Sequence, residues 1–300
     1  LKIDIDKKLK EPIIIEYNLD KSNNVLVDNI NINAKDNTKA NIIVIYKSVD
    51  EINGYHNGIC SAQIGANADI HVTIVNLLNT KISNFYSVNS NIEDESKTLF
   101  SMVEFGGKYN VVNYYAKLAG YKSVNKLHSI YLGKEEQKID LNYITELYGE
   151  KTNVDIEVNG ALKDKARKNF KGTIDFKTGS KKAKGKENEY CTLLSDTSYS
   201  KALPMLLCTE EDVEGNHSTA SGKVDRSCGE DSDNRRKRYG LQRIWHTEDQ
   251  GIRRTCKERV GRNHRVSGIW GKKRPADAEG IRQHQRAVDG ARSGIRNAAN

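Results

Sequence analysis

The chain has almost no arginine over most of its length. Positions 1–220 hold 28 Lys and Arg residues against 30 Asp and Glu, and only Arg167 is arginine. That leaves little from which to build the cationic active site of a polysaccharide-cleaving enzyme. Hydrolase motifs are missing as well. The nearest approach to a GxxxxGK[ST] loop, Gly179 to Gly185-Lys186-Glu187, has one residue too many and a Glu where the magnesium-binding hydroxyl belongs, so the chain is not an ATPase. It contains no GxSxG elbow and no HExxH pair. There is no CxxC: Cys60, Cys191, Cys208, Cys228 and Cys256 are odd in number and scattered, which argues against a disulfide framework and suits a reducing cytoplasm. Cys60, Cys191 and Cys208 lie in or beside apolar runs and read as small buried hydrophobes. Cys228 and Cys256, with His246 and His264, match no zinc-finger spacing. No apolar run approaches the ~18 residues needed to cross a bilayer, and the opening LKIDIDKKLKEP has no apolar stretch after its charges. The expected location is cytoplasmic.

What positions 1–220 do have is a succession of short β-rich runs. Ile13-Ile14-Ile15, Val25-Leu26-Val27, Ile42 to Tyr46, Val72 to Val75, Phe85 to Val88 and Val111 to Tyr115 recur between Asn, Gly and Asp, a pattern of all-β architecture. Val154-Asp155-Ile156-Glu157-Val158 and Thr173-Ile174-Asp175-Phe176 alternate apolar with polar, as a half-buried strand requires. The repeat is too irregular to separate a sandwich from a solenoid. Asn29 to Asn37 reads as an exterior turn, and Lys181 to Lys186 as a solvated turn between strands.

The composition breaks near residue 221. Positions 221–300 carry 20 Lys and Arg, 15 of them Arg, against 10 acids, and both tryptophans. Leu, Ile, Val and Phe are scarce in that segment, too few for a core at so high a net charge. Residues 226–300 are expected to be a disordered basic tail. The switch from Lys to Arg also suggests a frameshift or fusion after about residue 226, and the start at Leu1 suggests a fragment. A rival function rests on this tail: Arg235-Arg236-Lys237-Arg238-Tyr239, with Trp245 and Trp270, could grip nucleic acid by phosphate neutralisation and base stacking.

The stretch Glu189 to Asp225, EYCTLLSDTSYSKALPMLLCTEEDVEGNHSTASGKVD, with Phe170-Lys171-Gly172-Thr173-Ile174 upstream, resembles the core signature of the SufB/SufD family of iron-sulfur cluster assembly scaffolds. The resemblance covers most of residues 1–225. It implies a right-handed parallel β-helix whose coils stack their strands into parallel sheets, and a non-enzymatic scaffold that pairs with a SufB-like subunit and, through it, a SufC-type ATPase. A transient iron-sulfur cluster would be shared at the subunit interface.

His217 taken alone reads as a surface-loop histidine. The resemblance makes it a metal ligand, His in the SufD branch where the SufB branch has Glu, and imidazole suits iron. The SufD branch often has Cys two residues earlier, where this chain has Gly215. An essential cysteine of the SufB branch falls, by the same resemblance, at Ser198, whose hydroxyl is a far poorer cluster ligand than a thiolate. The chain therefore looks like the SufD partner, supplying one imidazole to a site whose thiolate comes from the other subunit. The family's ATPase-docking helices follow a segment close to LFYLMSRG, and no such segment follows Asp225.

Overall fold

Strict alternation of inward apolar and outward polar side chains sets the architecture. In Lys39–Ser48, Ala40, Ile42, Val44 and Tyr46 are buried while their neighbours face out, and the same period of two runs through strand after strand. The computed structural model describes residues 1–223. They form sixteen strands and no helix: β1 (Lys2–Ile5), β2 (Ile13–Leu19), β3 (Val25–Ala34), β4 (Lys39–Ser48), β5 (Gly54–Ile64), β6 (Asp69–Leu77), β7 (Ile82–Ile92), β8 (Lys97–Glu104), β9 (Tyr109–Leu118), β10 (Val124–Gly133), β11 (Lys138–Leu147), β12 (Asn153–Leu162), β13 (Arg167–Phe176), β14 (Lys184–Leu193), β15 (Tyr199–Cys208) and β16 (Glu214–Lys223). Odd-numbered strands make one eight-stranded sheet and even-numbered strands the other, in sequence order, and the pairing is parallel throughout. This is the expected parallel β-helix.

The inward row Ile32, Ala62, Ser90, Ala116, Thr145, Ile174, Leu206 pairs coil to coil at uneven intervals. The step from Ser90 to Ala116 is the shortest of the row and that from Ile174 to Leu206 the longest. The uneven spacing explains why no repeat could be scored from sequence. Corners absorb the differences. Asn37, Asn67, Glu95, Lys122, Lys151 and Lys182, one per coil, hold φ between 54 and 60°. Each donates its backbone N–H to a carbonyl one coil further on, those of Ala66, Asp94, Tyr121, Glu150, Lys181 and Asp212 in turn. This left-handed column satisfies groups that a sharp corner would otherwise leave unpaired.

Two turn readings from the sequence need correction. Asn29, Asn31 and Asn33 are not in a turn but on the outer face of β3, because Ile30, Ile32 and Ala34 fill the interior between them. The lysine run is half turn and half strand, since Lys184 and Lys186 face outward from β14. Pro204 lies within β15, and no strand pairs on the far side of β15 among the described residues, a position that tolerates a missing N–H. The readings of residues 226–300, including the nucleic-acid-binding tail and the cysteines and histidines in it, lie outside the described residues, as does the domain boundary at 225.

The interior changes character along its length. Near β5 it holds a buried polar chain around His56; in the middle Phe100, Tyr114, Tyr143 and Phe170 meet edge to face at centroid distances of 5.2, 6.1 and 5.7 Å. Towards β16 it becomes ionisable.

Candidate functional site

Strands β13 to β16 carry the family-like segment. His217 sits mid-strand in β16 and not in a loop. Glu214 to Ala220 has no apolar alternation to announce a strand; backbone pairing with β14 imposes it, and propensity yields to that template. His217 is the direct register partner of Glu187, as Thr219 is of Glu189 and Ser221 of Cys191. Partners in parallel strands share a face, so His217 continues the interior column Ile156, Glu187. It is nevertheless exposed, because β16 has no further strand above it among the described residues. Partial burial holds its pKa below the ordinary imidazole value.

Below it, Glu187 is fully buried, and neither carboxylate oxygen has a hydrogen-bond partner. Burial, and then the neighbouring Glu189, push its pKa up to about 8. Glu189 is also buried but provided for: Lys168 Nζ lies 2.6 Å from Oε1, and the Tyr131 hydroxyl donates to the same oxygen at 3.0 Å. Lys168 is itself buried, its ammonium over the rings of Tyr131 and Phe170 at 5.5 and 5.6 Å. Cys191 shares this end of the interior, its thiol pKa raised by burial. Opposite Glu187 stands Gly172, where any Cβ would collide with the Glu187 carboxylate.

Ser198 is placed differently. It lies in the corner between β14 and β15, nearly buried, with its hydroxyl donating to the Ser195 carbonyl at 2.6 Å. The residue beside His217 in the ladder is Glu187, not Ser198. Cys60 and Cys191 are buried as expected, and burial pushes the Cys60 thiol up to about 12. Cys208 is exposed at the end of β15, contrary to expectation, because no coil stacks over that strand end among the described residues.

Glu187, Glu189 and Lys168 were missed by sequence reasoning. A signal was present: counting back from the apolar Cys191 in steps of two puts 189 and 187 on the inward face. Among the described residues, no three or more His, Cys, Asp or Glu side chains are grouped to hold a metal ion.

Two comparisons with known proteins bear on the family of the chain. The chain is 22% identical over 222 residues to the iron-sulfur cluster assembly protein SufD of Bacillus subtilis (strain 168), an alignment covering 73% of this chain and 50% of that protein. The chain thus spans about half the length of the curated relative it matches. Residues 17–227 match the family described as SUF system FeS cluster assembly, SufBD core domain. Since that match runs from within β2 through β16 and takes in well over half of the chain, this protein belongs to the SufBD core family of the SUF system.

Proposed function

We propose that this chain is a SufD-like, non-catalytic scaffold subunit for iron-sulfur cluster assembly, working in the cytoplasm. It pairs with a SufB-like subunit and, through it, with a SufC-type ATPase. His217 supplies one ligand to a transient iron-sulfur cluster, the cargo of the assembly, and the remaining ligands come from the partner. The observation that carries this reading is the position of His217. Its imidazole sits on the outermost described strand of the sheet, on the face that continues the interior, within the segment resembling the SufD branch. A neutral imidazole with a lowered pKa has a lone pair for iron at physiological pH. Ser198, with its hydroxyl turned onto its own corner, contributes no ligand.

The test is the iron and acid-labile sulfide bound by this chain co-expressed with SufB-like and SufC-type partners. His217→Ala should reduce both severalfold without loss of the complex, whereas Ser198→Ala should leave them unchanged. Full cluster content with His217→Ala would end the ligand reading and leave the chain a structural partner.

A further inference from the structure

Among the described residues, the interior near β16 holds an acid without a hydrogen-bond partner. Glu187 is enclosed, and both of its oxygens lack partners. The one buried ammonium nearby, Lys168, is already engaged by Glu189, which also takes the Tyr131 hydroxyl. Protonated, Glu187 has an unused O–H; ionised, it is an uncompensated buried charge. Either state is costly, and such a group in a folded interior calls for a missing partner. On the facing wall Gly172 carries no side chain, and the carboxylate occupies the space a Cβ would take. On the next coil His217 is the register partner of Glu187, one strand spacing of about 4.8 Å away on the same face. Glu187 and His217 thus extend from adjacent rungs on the same interior face. This pair suits first-row divalent metals; magnesium and calcium favour all-oxygen sets.

We propose that Glu187 and His217 together bind a first-row divalent cation at the β16 end of the described solenoid interior, Glu187 being the second ligand on this chain. The proposal rests on the reading of His217 as a ligand. It adds that this subunit holds the metal ion itself through a nitrogen and an oxygen, before any sulfide is present. The other coordination positions are left to water or to a partner.

Co(II), whose visible d–d absorption reports its ligands, is the probe. Titrated into the purified full-length chain without sulfide, it should bind as a single ion with a nitrogen- and oxygen-type spectrum. Glu187→Gln, which keeps the shape and removes the charge, should weaken binding about tenfold or more, and His217→Ala likewise. Circular dichroism and thermal melts confirm that both variants are folded. Unchanged affinity and spectrum in Glu187→Gln, with binding lost in His217→Ala, would overturn the Glu187 proposal while sparing the His217 reading. Cobalt held only by cysteine, recognised by its near-ultraviolet thiolate charge-transfer band, would overturn it, as would no bound cobalt at all. In those two cases the His217 reading is decided by the cluster content of the co-expressed complex.

Discussion

Glu104 is buried deep in the stack and survives there because amides are aimed at it. Asn76 and Asn110 donate to its Oε2 at 3.0 and 2.9 Å. Asn110 in turn accepts from Asn84 at 2.6 Å, and the Asn84 carbonyl oxygen faces His56 Nδ1 at 2.5 Å, so the line from His56 to Glu104 passes its hydrogen bonds in one direction. On its other side His56 Nε2 faces the Asp28 carboxylate at 2.7 Å. Burial still outweighs the amide donors and raises the Glu104 pKa to about 7, from 4.5. A proton is thus held more tightly in the fold than in the unfolded chain. The contribution of Glu104 to stability is fully present below pH 4.5 and is lost as pH rises through about 7. Glu104→Gln should flatten the stability difference across that window, with an upper bound of roughly 3 kcal/mol. Urea midpoints of wild type and variant at several pH values decide it, and parallel curves would show that Glu104 does not titrate this way.

At the scale of the element, corners do what strand pattern cannot. Lys182 holds φ 58° and donates to Asp212 O at 2.5 Å, a conformation that strains an L-residue and suits glycine. Lys182→Gly should leave stability unchanged or raise it by up to about 1 kcal/mol, whereas Lys182→Val should lower it by about 1–2 kcal/mol. Thermal denaturation checks the pair; equal melting points would mean that the corner carries no strain. The same contrast separates what the sequence makes legible from what it hides. Strands such as β4 and β12 announce themselves, because Ile42, Val44, Ile156 and Val158 alternate with polar neighbours. Corners at Glu95, Lys122 and Lys151 do not, since long charged residues occupy positions where Asn or Gly would be expected. His217 was legible as a residue of interest but not as a strand residue, for β16 owes its form to β14. Glu187 and Glu189 were hidden because their inward direction contradicts their polarity. The two-residue count back from Cys191 hints at that direction, and pairing with strands a full coil away, such as Ile156↔Glu187 and Glu187↔His217, makes it plain.

In the whole stack each coil touches mainly the coil before and the coil after, so stability is close to a sum of nearest-neighbour terms. Central strands such as β8 and β10 have a paired strand on either side, and β16 only one among the described residues. Amide hydrogen exchange of the isolated chain should therefore find β16 opening well before β10. Uniform protection from β2 to β16 would show instead that the solenoid opens as one unit. The unequal lengths of the coils, short between Ser90 and Ala116 and long between Ile174 and Leu206, have another consequence. Residues added at a corner lengthen a loop and leave every rung where it was, whereas adding or deleting a complete coil carries His217 along the stack axis by one rung, about 4.8 Å, with its side chain still pointing the same way. The molecule is in this sense a ruler graduated in whole coils: the reach from its first strand to its imidazole can be reset only in discrete steps.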